Sequence, residues 1–197
     1  CYLSPVSWLS GGATNCGTSN LDWFKRCAFE PGTSYADIEA GIKAGESTPV
    51  FLPFLYGERC PGWNDNRRGG FEDLLPSHDR WSMYRAVQEG VLFNIYQCFE
   101  ALTRINGKPN KIRLSGGVLH SDSWSQMCAD IFQQDMEVDE NEQASLLGAV
   151  VLAKERLGVI ADIRRFNPPC SRVIYHDPQK AELYKSKYQR YMLYYNK

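Results

Sequence analysis

At 197 residues the chain is long enough for one sizeable hydrophobic core, whereas two domains would each be small. Apolar residues make up 43% and charged residues 23%, which is ordinary for a folded protein and too apolar for a disordered one. A net charge of -1 supplies no electrostatic footprint for nucleic acid or an anionic membrane, so neither is an expected partner.

The seven cysteines, at 1, 16, 27, 60, 98, 128 and 170, form an odd set without a C-x-x-C pair or histidines at zinc spacing. Reduced thiols in a cytoplasmic protein are the expectation. No apolar run approaches the roughly 18 residues that span a bilayer, and no basic-then-apolar leader opens the chain. The first residue is Cys1 rather than Met, and Tyr2 to Leu9 (YLSPVSWL) reads as a strand in progress. That pattern predicts a piece excised from something longer.

Gly11-Gly12 breaks the opening strand, and Ser19 or Asn20 is the expected cap of a short helix through Trp23, Phe24 and Cys27. From Ser34, Tyr35, Ile38 and Ile42 recur at helical spacing until Gly45. Val50 to Phe54 is a short apolar run, and Tyr56 to Leu75 is so rich in Gly, Pro, Arg and Asn that a long loop is predicted. In that loop Glu58 and Arg59 form a candidate salt bridge and Trp63 a candidate anchor.

Asp79 is a candidate N-cap for one long helix to about Ile105, with Met83, Val87, Val91, Ile95 and Leu102 as its apolar stripe and Gly107 and Pro109 closing it. Lys111 to Leu114 is a short strand running into Ser115-Gly116-Gly117. A helix follows from near Ser123 to before Asp135, capped by Ser121 or Asp122. Met136 to Val138 is a strand, and Ala144 to Leu157 a helix whose Ala144, Gly148 and Ala149 suggest close packing. Glu142 is a candidate cap for it. The order between 161 and 177 is unclear, with Pro168-Pro169 forbidding a regular helix; Ala181 to Tyr195 is a terminal tyrosine-rich helix. Its tyrosines form a packing stripe or, if exposed, a homodimer contact. His78, His120 and His176 lack partner spacing and are expected in surface or turn positions. Strands alternating with helices argue for an α/β layer architecture.

The sharpest local signal is Lys111 to Asp130, KIRLSGGVLHSDSWSQMCAD, in which a strand delivers two glycines close to a helix N-terminus. Glycines allow a ligand near the backbone, and the helix start presents unpaired N–H groups, so such a turn can hold part of a nucleotide. On its own a plain turn is the commoner meaning of the pattern.

With the acidic stretch after it and ASLLGAVVLA beyond, SGGVLHSDSWSQMCAD resembles the adenosine-binding signature of the FGGY carbohydrate kinase family. SGGATNCGTSNLDWF (Ser10 to Phe24) is similar to the family's turn before a Trp-containing helix. LPFLYGERCPGWNDNRRGGFEDL (Leu52 to Leu74) resembles its GERxPxW loop in the form found in gluconate kinases and, less closely, xylulose kinases. The three motifs stand in family order over about 10–153.

The resemblance implies one α/β domain over 1–197, an actin-like ATPase (ribonuclease H-like) domain truncated at its N-terminus, with 160–197 as a tail ending in a helix. It implies ATP with Mg2+ as cofactors, and a sugar or sugar acid bound together with a missing N-terminal domain. No catalytic or metal residue is expected here, because the family's general base lies upstream; Asp22, Asp65 and Asp122 are not candidates for it. Carried over by position, Gly116, Gly117 and Ser121 belong to the adenosine turn, and Gly17, Asn15 and Asp22 to a second nucleotide-side turn. Relatives often carry Asn where Ser121 stands and Gln where Asp22 stands. Gluconate is the favoured substrate, xylulose or another pentulose the alternative. A nucleotide-binding or interaction module without catalysis is the competing reading, and a chaperone- or filament-type actin-like ATPase a third.

Overall fold

The computed structural model describes residues 2–4, 7–43, 45–139, 144–168 and 170–197. The expected cap Glu142 lies outside them. The opening segment is two short antiparallel strands, β1 (Tyr2–Ser4) and β2 (Ser7–Trp8), with Tyr2 opposite Trp8, and not one continuous strand.

Helix α1 (Thr18–Ala28) starts one turn earlier than the sequence suggests. Gly17 takes the cap position without a side-chain bond, and Asn20, an expected cap, is buried in the first turn. Helix α2 (Tyr35–Ala40) opens on a reciprocal capping box. Ser34 Oγ accepts from the Asp37 N–H, and the Asp37 carboxylate accepts from the Ser34 N–H. It ends at Gly41 rather than Gly45, where a Cβ would sit 2.0 Å from the Trp81 indole nitrogen. Tertiary packing stops this helix before its periodicity does.

Helix α3 (Arg80–Asn106) is the spine of the molecule, about 40 Å long at 1.5 Å per residue. Asp79 caps it as expected, accepting from the N–H groups of Trp81 and Ser82 at 3.0 and 2.9 Å. Val87, Val91 and Leu92 bury its apolar face. The predicted loop contains a strand that its composition hides: β4 (Gly70–Glu72) pairs antiparallel with β3 (Val50–Leu52), Phe71 opposite Phe51. A Cβ on Gly90 would meet the Phe51 carbonyl oxygen at 2.3 Å, so this glycine sets the approach of β3 to α3.

Strand β5 (Ile112–Leu114) pairs in parallel with β6 (Met136–Val138), which pairs antiparallel with β7 (Arg172–Ile174). Helix α4 (Asp122–Phe132) makes the crossover from β5 to β6. The α/β expectation holds, and β7 resolves part of the region whose order was unclear. Helix α5 (Ala144–Arg156) corrects the close-packing expectation: Val151 is buried, while Gly148 is exposed with nothing within 4 Å of a Cβ.

Helix α6 (Ala181–Tyr195) lies against β3, α4 and α3, and turns its tyrosines inward; Tyr184 and Tyr191 are 3% and 0% exposed. Polar pins hold it. Lys180, just before it, reaches the buried Asp130 at 2.9 Å, Lys187 reaches the buried Glu89 at 2.6 Å, and Tyr191 donates to Gln97 at 3.0 Å. At its end the Tyr195 hydroxyl donates to the fully buried Glu58 at 2.6 Å. Glu58 pairs with Arg67 at 3.0 Å, not with Arg59. The Arg67 guanidinium stands over the rings of Tyr195 and Phe54, 4.1 and 5.4 Å from their centroids, and this group anchors the loop. Trp63 does not, since it is 68% exposed.

Candidate functional site

The strand β5 ends at Leu114, and after Ser115 Gly116 turns the chain with φ +84° and ψ -159°, a conformation open essentially to glycine. A short 3-10 turn (Gly117–His120) leads to Ser121, whose hydroxyl caps α4 by accepting the Trp124 N–H at 3.0 Å. Opposite stands the first turn of α1. A Cβ on Gly117 would lie 3.4 Å from Thr18 Cγ2, so these two segments face each other at van der Waals distance.

Between them, closed at one end by α2, is a cleft of about 250 Å³. Gly117, His120 and Ser121 line one wall and Thr18, Leu21 and Asp22 the other, with Tyr35, Glu39, Tyr84 and Trp124 completing it. Three of the six residues carried over by position, Gly117, Ser121 and Asp22, therefore share one cavity. Gly17 lines a neighbouring cavity of about 330 Å³ with Ser115 and Val118, and the two cavities share Thr18 and Trp124. Gly116 supplies the bend. Asn15 is in neither lining; its side-chain amide donates to the Tyr56 carbonyl at 3.5 Å and ties its turn to the long loop.

The cleft has an apolar body and an acidic end. Leu21, Tyr84 and Trp124 are buried beneath it, and the Trp124 indole N–H donates to the Gln88 carbonyl at 3.3 Å, fixing the ring. Asp22 accepts from the Tyr35 hydroxyl. Burial, then this bond to an anion, push the Tyr35 phenol up to about 12, so it stays a neutral donor. Glu39 accepts from Ser123 Oγ at 3.0 Å and from Gln88 Nε2 at 3.3 Å, and Ser123 Oγ lies 3.2 Å from Ser121 Oγ. Sequence reasoning missed Tyr35, Glu39 and Thr18. Tyr35 and Glu39 are four apart on α2 and so share a face, which was the available signal.

Other titratable groups are engaged elsewhere. Asp122 pairs with Arg172 at 2.8 Å and His176 with Asp135 at 2.6 Å, while His78 Nδ1 accepts the Leu75 N–H at 3.1 Å. His120 is exposed in its turn, at the mouth of the cleft. The six described cysteines are free thiols. Among the described residues no helix is long and apolar enough to cross a membrane.

A sequence profile of the FGGY family of carbohydrate kinases, C-terminal domain, matches residues 2–154. The gluconokinase of Bacillus subtilis (strain 168) is 35% identical over 174 residues, covering 81% of this chain and 34% of that protein. The xylulose kinase of the same strain is 33% identical over 150 residues, covering 75% and 30%. Among solved structures, a ligand-bound xylulose kinase and a gluconate kinase, both from Lactobacillus acidophilus, superimpose with TM-scores of 0.85 at 33% and 32% identity. Each match covers 94% of this chain and 39% of the other. The chain spans about a third of the length of the curated relatives it matches. The fold is the actin-like ATPase fold of these kinases, and the chain belongs to the FGGY family of carbohydrate kinases, as its C-terminal domain.

Proposed function

We propose that this chain is the nucleotide-side part of an ATP-dependent kinase that phosphorylates a hydroxyl of a sugar or sugar acid, gluconate ahead of xylulose. The observation that carries the reading is the cleft itself, where the Gly116-Gly117 turn and the start of α4 face the first turn of α1. Its apolar body suits a nucleobase and ribose, and the backbone N–H groups at helix starts suit the phosphates of ATP or ADP. The gluconokinase and gluconate kinase among the relatives support gluconate; the xylulose kinases keep the pentulose alternative.

Phosphoryl transfer rests on positioning and electrostatic stabilisation, so this half of a cleft contributes by holding the nucleotide in place. Among the described residues no group of three or more His, Cys, Asp and Glu gathers as a metal cage. Mg2+, which neutralises phosphate charge when bound, would arrive on the nucleotide and be held largely by its oxygens. The sugar hydroxyl's proton is assigned to none of these residues, since the family resemblance sets the general base in a segment upstream of Tyr2. Use of ATP and free thiols both support a cytoplasmic setting.

Titration of the chain with ADP and with ATP, followed by amide NMR or calorimetry, tests the reading. Saturable binding with a dissociation constant on the order of 0.1 to 1 mM is expected, with Gly117→Val abolishing it. Unchanged spectra at millimolar nucleotide would remove the nucleotide assignment.

A further inference from the structure

Ser121 is the polar residue the family resemblance assigns to the adenosine, yet its hydroxyl proton and one of its lone pairs are used locally. It accepts the Trp124 N–H as the α4 cap and lies 3.2 Å from Ser123 Oγ. The polar chain continues from Ser123 Oγ to Glu39 Oε2 at 3.0 Å, and Glu39 lines the cleft beside Trp124, Tyr84 and Tyr35. A carboxylate is an acceptor only, and Gln88 donates to one Glu39 oxygen and Ser123 to the other, leaving further lone pairs for a ligand donor. The second carboxylate of the cleft, Asp22, is bonded to the Tyr35 hydroxyl. Two carboxylates at one end of a small cleft repel phosphates, so a nucleotide enters with its uncharged end toward α2 and its phosphates toward the Gly116 and Gly17 turns.

Resting on the nucleotide reading above, we propose that Glu39 is the base-specificity residue of this cleft, accepting a hydrogen bond from the exocyclic amine of an adenine seated over Leu21, Tyr84 and Trp124. The partner chemistry follows from the lining: the floor of the cleft is apolar, and the Glu39 carboxylate asks for an N–H donor on an otherwise aromatic ring. Adenine supplies that donor at its 6-position. Hypoxanthine has a 6-oxo group there, which would face the Glu39 carboxylate as acceptor against acceptor.

The test compares ADP with IDP on the same chain, on Glu39→Ala and on Glu39→Gln, by NMR titration or calorimetry. The unmodified chain binds ADP at least about tenfold more tightly than IDP, the discrimination one charge-assisted hydrogen bond gives. Glu39→Ala brings the two nucleotides to within about twofold by weakening ADP alone. Its unchanged IDP affinity shows that the cleft is still folded. Glu39→Gln, whose amide oxygen still accepts, retains part of the preference. A preference for ADP that persists in Glu39→Ala, or equal binding of ADP and IDP to the unmodified chain, overturns the role of Glu39 while leaving the nucleotide site standing. Failure of both nucleotides to bind the unmodified chain removes the site and this inference together.

Discussion

Gly116 and Gly117 are neighbours in sequence with different tasks, and substitution separates them. Gly116 holds a conformation that side chains disfavour, so Gly116→Ala should cost about 1–3 kcal/mol in urea unfolding. At Gly117 the nearest atom to an added Cβ is 3.4 Å away, ordinary contact, so Gly117→Ala should stay within about 0.5 kcal/mol of the parent chain. Equal losses would mean that the turn is not shaped as described. At this scale the sequence carried the glycines, Ser121 and Asp22 by motif. Glu39 and Tyr35 share a helix face in the sequence, but their place in the cleft depends on how α2 packs, and the amide of Asn15 turns to Tyr56.

Long amphipathic segments announce themselves, and α3 runs from the predicted cap Asp79 to the predicted stop at Gly107. The short β4 did not, because Gly70-Phe71-Glu72 sits in a stretch dominated by turn residues, and only Phe71 against Phe51 makes it a strand. Helix α3 carries two predictions. Gly90→Ala gains about 1 kcal/mol of helix propensity. It also drives a Cβ to 2.3 Å from the Phe51 carbonyl, and overpacking of that kind costs about 1–3 kcal/mol, so the variant should be less stable on balance in thermal unfolding.

Asp79→Ala should cost about 1 kcal/mol at neutral pH through loss of the cap. The Ser82 backbone N–H, the largest cause, holds the Asp79 carboxyl below its ordinary value. A carboxyl lowered by folding contributes stability fully above its unfolded-state value, near 4, and loses it as pH falls through the folded value. The gap between parent and variant, measured by urea titration, should therefore be constant above about pH 5 and close below about pH 4. A gap that widens on acidification would contradict the capping role.

Across the whole molecule, the family match ends at 154, yet the hydrophobic core takes in Ile174, Tyr184 and Tyr191. Composition and periodicity located α6 but could not show that Lys180, Lys187 and Tyr195 reach buried carboxylates on α4, α3 and the long loop. Ending the chain after residue 154 leaves Glu58, Glu89 and Asp130 without Tyr195, Lys187 and Lys180. Asp130 loses its ion-pair partner at about 3–5 kcal/mol, whereas Glu58 keeps Arg67 and Glu89 keeps Arg85. The core also loses Ile174, Tyr184 and Tyr191 at about 2–5 kcal/mol each, which together reaches the whole stability of a typical domain. The shortened chain should lack a cooperative urea transition by circular dichroism and lose amide protection in α3. A sharp transition would show that α6 is an accessory.

The same fastening has a consequence for biosynthesis. Of these elements α6 leaves the ribosome last, and until it does the nascent polypeptide carries three anionic side chains at positions meant for a dry interior. The cleft stands on α3 and α4, whose burial waits on that helix, so its completion follows the synthesis of α6 rather than that of the residues that line it.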